Sequence, residues 1–407
     1  MLYALHELHK TMTAPLVAWA DANQRLFTNP YSPLAYHPLS RTVAASQEVL
    51  ARLMRSYDKP AWRIDHVVVA DKEVPVAVEP ALKKPFCVLQ HFRKATDKPG
   101  PKVLIFAPLS GHHATLLRDT VRAALQDFDV YITDWVDARL VPLSEGPFHL
   151  DDYVEYCQEF IRLLGPDLHV ISVCQPTVPV LAAVSLLAQV KDPALPKSMV
   201  MMGGPIDTRR SPTVVNEFAM GRSHAWFQDK VIYRVPFNHP GFMRKVYPGF
   251  LQHLGFVAMN ADRHMDAHRQ FFNHLVVGDG DSASAHRRFY DEYNAVLDMP
   301  GEYYLDTIKV VFHDFALAKG TMTVRGELVR PEAIKSIALF TIEGELDDIS
   351  GHGQTEAAHI LCRNIPSEKR KHFQAKGVGH YGIFSGRKFR ELVYPQIRGF
   401  IKRWNDK

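Results

Sequence analysis

The chain has 407 residues, a formal net charge of +4, 46% hydrophobic and 23% charged residues. That composition belongs to an ordinary globular protein and excludes a disordered or collagen-like chain. No run of five or more like charges occurs, so nothing marks a nucleic-acid-binding tail, and the length suits two or three domains or one large α/β domain with an insertion.

Residues 1–60 read as helical, with Leu2, Leu5, Leu8 and Met12 at roughly helical spacing. Residues Met1–Glu7 show no basic stretch followed by an apolar one, so no signal peptide is expected. From about residue 61 the texture changes to short β-branched runs, first Val67–Val69 and then Phe86–Leu89. Val103–Ala107 is a candidate buried strand ending at Pro108, followed by a helix over about 114–126. A strand at 130–133, a helix at 150–164, a strand at 168–173, a helix at 176–189 and a strand at 199–204 come next. The most apolar stretch, Val170–Val190, is broken by Gln175, Pro176 and Pro179, so it predicts a buried strand and helix rather than a membrane span.

Strands alternating with helices predict an α/β fold with a mainly parallel sheet and helices on both faces. The alternation stops near 206. Residues 206–331 lack a strand rhythm, read as mostly helical and are dense in aromatics, among them Trp226, Phe227, Phe271, Tyr303 and Tyr304. The sheet rhythm returns at 337–342 and 371–374, and a last helix is expected over about 386–404. The domain expectation is therefore an N-terminal helical segment (1–60), an α/β core (61–205 and 332–407) and an inserted cap (206–331). The four cysteines, Cys87, Cys157, Cys174 and Cys362, form neither a metal-binding spacing nor a disulfide framework. A reducing, cytoplasmic setting is the expectation.

The chemistry-bearing segment is Leu168–Thr177. A buried strand runs directly into a helix, with Cys174 at the turn, which is the setting of a nucleophile elbow. The helix N-terminus favours both a thiolate at Cys174 and an oxyanion beside it. In place of the G-x-S-x-G pattern stands Ser172-Val173-Cys174-Gln175-Pro176, and Pro is tolerated in a first helical turn. Just past the strand at 337–342, beyond Gly344, come Asp347 and Asp348. Farther on, His380 sits in the loop Gly377-Val378-Gly379-His380-Tyr381-Gly382. Nucleophile, acid and base thus follow in the order an α/β-hydrolase requires.

One backbone oxyanion donor is expected from Gln175 and a second from Leu109 or Ser110, since Pro108 has no N–H. Gly377-x-Gly379-x-x-Gly382 spells a dinucleotide fingerprint, but too few residues follow it for the βαβ unit that the fingerprint needs. No metal site is expected. Adjacent His112 and His113 point opposite ways on an extended stretch, and Met265 fills the Glu position between His264 and His268.

At these residues the chain resembles the intracellular polyhydroxyalkanoate (poly-3-hydroxybutyrate) depolymerases. The resemblance is carried by MLYALHELHKTMTAPLVAWA (1–20), VCQP (173–176), MGGPIDTRRSPTVVNEFA (202–219), EGELDDISGHGQTEA (343–357) and KGVGHYGIFS (376–385). It implies an α/β-hydrolase fold with a cysteine nucleophile. By position, Cys174 would be the nucleophile, Asp347 the triad acid and His380 the base. Asp347 is preferred over Asp348 because the family's acid stands two residues before an apolar residue, here Ile349. The implied activity is hydrolysis of polyester bonds through a 3-hydroxyacyl-cysteine, without a cofactor, at the surface of intracellular granules. Water is the expected acyl acceptor and coenzyme A the alternative one. The polyester also predicts exposed docking aromatics on the insertion, with Trp226 a candidate. Two other readings stay open: a polyester synthase-like or coenzyme A-dependent acyltransferase, and a non-catalytic granule-binding protein.

Overall fold

The chain opens with two packed helices, α1 (Leu2–Thr28) and α2 (Ser40–Met54). Their contact is lined by small residues, Ala20, Ala44, Ala45 and Ala51, which let the two backbones approach. A computed structural model describes residues 2–406. Three strands follow in antiparallel succession: β1 (His66–Val69), β2 (Lys72–Lys84) and β3 (Cys87–Lys94). Then strands and helices alternate through β4 (Lys102–Phe106), α3 (Arg118–Leu125), β5 (Asp129–Trp135), α4 (Leu150–Leu164), β6 (Leu168–Val173), α5 (Thr177–Gln189) and β7 (Ser198–Met202).

Between β7 and the next strand of the same sheet lies a long insertion. It holds the helices α6 (Val214–Met220), α7 (His224–Lys230), α8 (Gly249–Met259), α9 (Ala261–Val277), α10 (Gly280–Tyr293) and α11 (Gly301–Thr307). It also holds two small sheets, one of β8 (Tyr233–Arg234), β9 (Lys245–Tyr247) and β10 (Met299–Pro300), the other the hairpin β11 (Thr323–Val324) and β12 (Glu327–Leu328). The main sheet then resumes with β13 (Ala338–Gly344) and β14 (Arg370–Ala375), and the chain finishes in a helix over Tyr394–Asn405.

The main sheet has nine strands in the order β1-β2-β3-β5-β4-β6-β7-β13-β14. Pairing is parallel from β5 to β14 and antiparallel from β1 to β5. The central strands are continuous apolar runs because both faces are covered. In β4, Leu104 and Phe106 join the core shared with α4 and α5. Val103 and Ile105 join the opposite core, with α3 and Ile397, Phe400 and Ile401 of the last helix. Apart from the added β1, this is the sheet of an α/β-hydrolase, with β6 near its middle.

Three elements differ from expectation. The long strand β2 is hidden in the sequence by Pro75 and Pro80, which cannot donate to a ladder. Its register shifts between Pro80 and Leu82. The strands of the insertion are two or three residues long, too short to show a period. The last helix is not continuous. Gly386–Lys388 is helical, Phe389–Val393 is a π turn, and the regular helix starts with Pro395 in its first turn. Pro395 withholds the N–H that would close onto Glu391.

The aromatics of the insertion divide between core and surface, with Phe218, Phe237, Phe242 and Phe289 exposed. Phe227, Phe271 and Tyr303 are buried. Trp226 is half-buried and packs edge-on against Phe218 and Phe227.

Candidate active site

Strand β6 is buried along its whole length, and the chain leaves it at Cys174 with φ +67°. A positive φ is costly for a residue with a Cβ, so neighbouring contacts must hold it. The Cys174 N–H donates to the Met202 carbonyl at 2.7 Å. The Cys174 carbonyl accepts from the Thr177 N–H at 3.1 Å and the Thr177 hydroxyl at 2.9 Å. Helix α5 then begins at Thr177, with Pro176 at its cap.

The sharp turn needs small neighbours, and they come from another strand. A Cβ on Gly204, just past β7, would stand 1.9 Å from Thr177 Oγ1. A Cβ on Gly203 would stand 2.6 Å from Ile383 Cδ1 and 3.3 Å from both Asp347 Oδ2 and His380 Cε1. Two glycines after β7 therefore clear the space that the second glycine of a G-x-S-x-G motif would clear locally.

Asp347 lies in the turn after β13, and His380 in the turn after β14. The His380 Nδ1–H donates to Asp347 Oδ2 at 2.8 Å, and both side chains are almost fully buried. Asp347 Oδ1 accepts from the N–H groups of Ile349 (2.9 Å) and Ser350 (2.8 Å), which fixes the carboxylate. Asp348 turns away and accepts from Asn260 Nδ2 at 3.3 Å. The Cys174 side chain lies near enough to the same imidazole to influence its pKa. Burial opposes a charge on His380, but Asp347 and Cys174 outweigh it and raise its pKa well above the ordinary histidine value. Asp347 and Cys174, far apart in sequence, thus flank the His380 imidazole.

The N–H groups of Gln175, Leu109 and Ser110 have no protein acceptor among the described residues. They are available to an oxyanion. The loop that carries Leu109 and Ser110 is tied to the insertion. The Gly111 carbonyl accepts from the Leu297 N–H at 2.8 Å, and His112 stacks on Phe256. His112 Nε2 also meets the Tyr293 carbonyl at 3.2 Å, while His264 Nδ1 meets the Tyr290 hydroxyl at 2.8 Å. These histidines are packing and hydrogen-bonding residues of the insertion.

Two further residues, Glu343 and Thr355, lie beneath the site. Glu343 is buried at the end of β13 and accepts from the N–H groups of Gly353, Thr355 and Glu356 at 2.8–2.9 Å. The Thr355 hydroxyl accepts from the Gly204 N–H at 2.7 Å and donates to the Gly204 carbonyl at 3.0 Å. Glu343 thus organises a loop whose threonine clamps the glycine under Cys174. Its place at the end of a strand was legible; its partners were not.

Beside His380 opens a cavity of about 630 Å³ between α8–α10 and the turns that hold Asp348 and His380. Phe256, Phe289, Tyr290, Tyr293 and Tyr381 give it an aromatic wall. Burial, followed by nearby His268, Arg52 and Arg287, lowers the pKa of His286 in this wall to about 4. Burial also lowers His264. His264 and His286 therefore stay neutral near pH 7. Arg263, Lys388 and Asp348 line the same cavity, so its aromatic wall is mixed with charged groups.

Residues 203–405 match the family model described as PHB de-polymerase C-terminus. A search of curated proteins found no match. Among solved structures the chain is similar to DcsB in complex with its substrate analogue, at 14% identity and a TM-score of 0.46, covering 82% of this chain and 100% of the other. It is similar to the 2-hydroxy-6-oxo-6-phenylhexa-2,4-dienoate hydrolase BphD from Rhodococcus sp. strain RHA1, at 13% identity and a TM-score of 0.44, covering 81% and 99%. A third is the Paleococcus ferrophilus monoacylglycerol lipase, at 12% identity and a TM-score of 0.42, covering 75% and 96%. Through residues 203–405, the part that carries Asp347 and His380, the chain belongs to the PHB de-polymerase family of ester hydrolases.

Proposed function

We propose that this protein hydrolyses the ester bonds of poly(3-hydroxybutyrate) or a related polyhydroxyalkanoate through Cys174, His380 and Asp347. The observation that carries the reading is Cys174, held at φ +67° on the elbow after β6 and facing an imidazole that Asp347 orients. His380 takes the Cys174 proton as the sulfur attacks. Asp347 holds the imidazole in one tautomer and offsets its charge. The thiolate attacks the ester carbonyl carbon. The resulting oxyanion is held by the N–H of Gln175 and that of Leu109 or Ser110.

Collapse of this intermediate breaks the bond to the alcohol oxygen, which leaves with the His380 proton. A 3-hydroxyacyl thioester remains on Cys174. Water gives a proton to His380 and attacks the thioester, which releases the acid and restores the thiol. No cofactor is needed. On this reading the enzyme works in the cytoplasm at the surface of polyester granules.

The test is release of soluble 3-hydroxybutyrate from native amorphous granules by wild type and by Cys174→Ala. Release by wild type, with a loss of at least about 10⁴-fold in Cys174→Ala, is expected. Undiminished release by Cys174→Ala overturns the cysteine mechanism. Release only with added coenzyme A converts the reading to acyl transfer.

A further inference from the structure

Helix α1 is turned inside out. Leu5, Leu8, Met12, Leu16, Trp19 and Leu26 are all exposed, with Met12 at 67% and Trp19 at 56%. No other helix among the described residues exposes more than two large apolar side chains. Tyr3, Glu7 and Asp21 of α1 are turned to the protein, while His9, Thr11 and Arg25 stay exposed. The Tyr3 hydroxyl donates to Asp298 at 2.6 Å. Glu7 meets Lys10, Asn238 and His239. Asp21 pairs with Arg55 at 2.8 Å. The outward side bears no carboxylate, and its single guanidinium, Arg25, sits in the last turn. At 1.5 Å per residue, the stripe from Leu5 to Leu26 is roughly 30 Å long.

We infer that this face of α1 docks the enzyme on the apolar surface of its polyester substrate. The inference rests on the polyester reading given above and adds where the protein meets the polymer. Charge selects the occupant. An uncharged polyester surface complements a face without carboxylates. A helix that lies on lipid keeps lysines and arginines along its polar side to meet headgroups. Here Tyr3, Glu7 and Asp21 are spent on protein contacts.

A second copy fits less well. A coiled-coil seam is narrow and flanked by charged positions. On a helical projection the large side chains of α1 spread over roughly 120°, and Ala4, Thr11, Ala18 and Ala22 flank them.

Position supports the same occupant. The α1–α2 layer rests on the helices that wall the cavity beside His380. His6 stacks on Phe250 of α8 with ring centroids 4.0 Å apart. Glu48 of α2 pairs with Arg287 of α10 at 2.6 Å, and Arg52 with Asp291 at 2.6 Å.

The test uses the full chain carrying Met12→Glu, Leu16→Glu and Trp19→Glu together, with a second variant carrying glutamine at the same positions. All three side chains are exposed, so both variants keep the fold, which thermal unfolding checks. Sedimentation with amorphous poly(3-hydroxybutyrate) particles should show binding weakened at least about 100-fold, given the apolar area lost. Cleavage of a soluble 3-hydroxybutyrate trimer should be unchanged. Binding to particles as tight as wild type in both variants overturns the inference. So does a wild-type dimer that the substitutions split into monomers, or equal wild-type binding to neutral phospholipid vesicles. Failure of the polyester reading looks different: wild type then cleaves neither trimer nor particles.

Discussion

The elbow around Cys174 and the outer face of α1 both break the rule that apolar groups go inside and polar groups outside, and they break it in opposite senses. At the elbow, Asp347, His380, Glu343 and Thr355 are buried with named hydrogen-bond partners. On α1, the leucines, Met12 and Trp19 stand in water while Tyr3, Glu7 and Asp21 are turned inward. The first departure is held by mutual satisfaction of donors and acceptors, which makes a buried polar cluster rigid. The second has no compensation inside the molecule, and a large exposed apolar patch on a protein marks a contact site. A mutation at the elbow should therefore cost stability or chemistry. One on the α1 face should cost only a partner.

The largest effect expected at the elbow separates two adjacent acids. Asp347→Asn should lower kcat by about 10³–10⁴-fold, because the imidazole loses its oriented partner. Asp348→Asn should stay within about threefold of wild type, as expected for a residue outside such a cluster. Assays of both variants on a soluble 3-hydroxybutyrate trimer check this, and equal losses would break the contrast.

Next comes Gly204→Ala, whose methyl would collide with Thr177. A cost of about 1–3 kcal/mol is expected for overpacking at such a site. Gly255 in α8 has open space around it. Gly255→Ala should stabilise by about 0.5–1 kcal/mol through helix propensity. Denaturant midpoints of the two variants sharpen the comparison between crowded and free glycines.

The smallest effect concerns the root of α1. Asp137 and Asp298 share one buried cluster with Tyr3. Burial, and then Asp298, raise the Asp137 carboxyl to about 7. The folded state therefore holds a proton that the unfolded chain releases near pH 4. This contribution is fully present below about pH 4, declines as the pH rises and is gone above about 7. Asp137→Asn keeps an acceptor for the N–H groups of Arg139 and Asp298. The variant should lose less stability than wild type between pH 5 and 8, as read by urea midpoints.

The parts of this architecture legible in the sequence are those set by local pattern. The apolar runs of β4, β6 and β7 and the amphipathic period of α4 point to strands and helices without reference to anything distant. The prolines of β2 mask a strand, because its register is set by β3. Cys174, Asp347 and His380 were each readable as a reactive type at a strand end. The hydrogen bond between His380 and Asp347 is a property of the folded turns. Gly203, Gly204, Glu343 and Thr355 were not readable in their roles. Each acts through an approach between segments separated by many residues, for which a single chain carries no local signal. The α1 stripe shows the converse. Its helical spacing was plain, but the same spacing fits a core-facing helix, and only the fold reveals that it faces outward.

The four thiols of the molecule are free, and burial separates them sharply. Cys87, Cys157 and Cys362 are sealed in the core, where desolvation raises their pKa values. Cys174 alone is partly open. On the proposed mechanism, the folded protein thus carries its own titrant position at Cys174. An alkylating reagent taken up under native conditions counts competent molecules, and the total taken up after denaturation counts all of them. Specific activity can then be expressed per working elbow rather than per milligram.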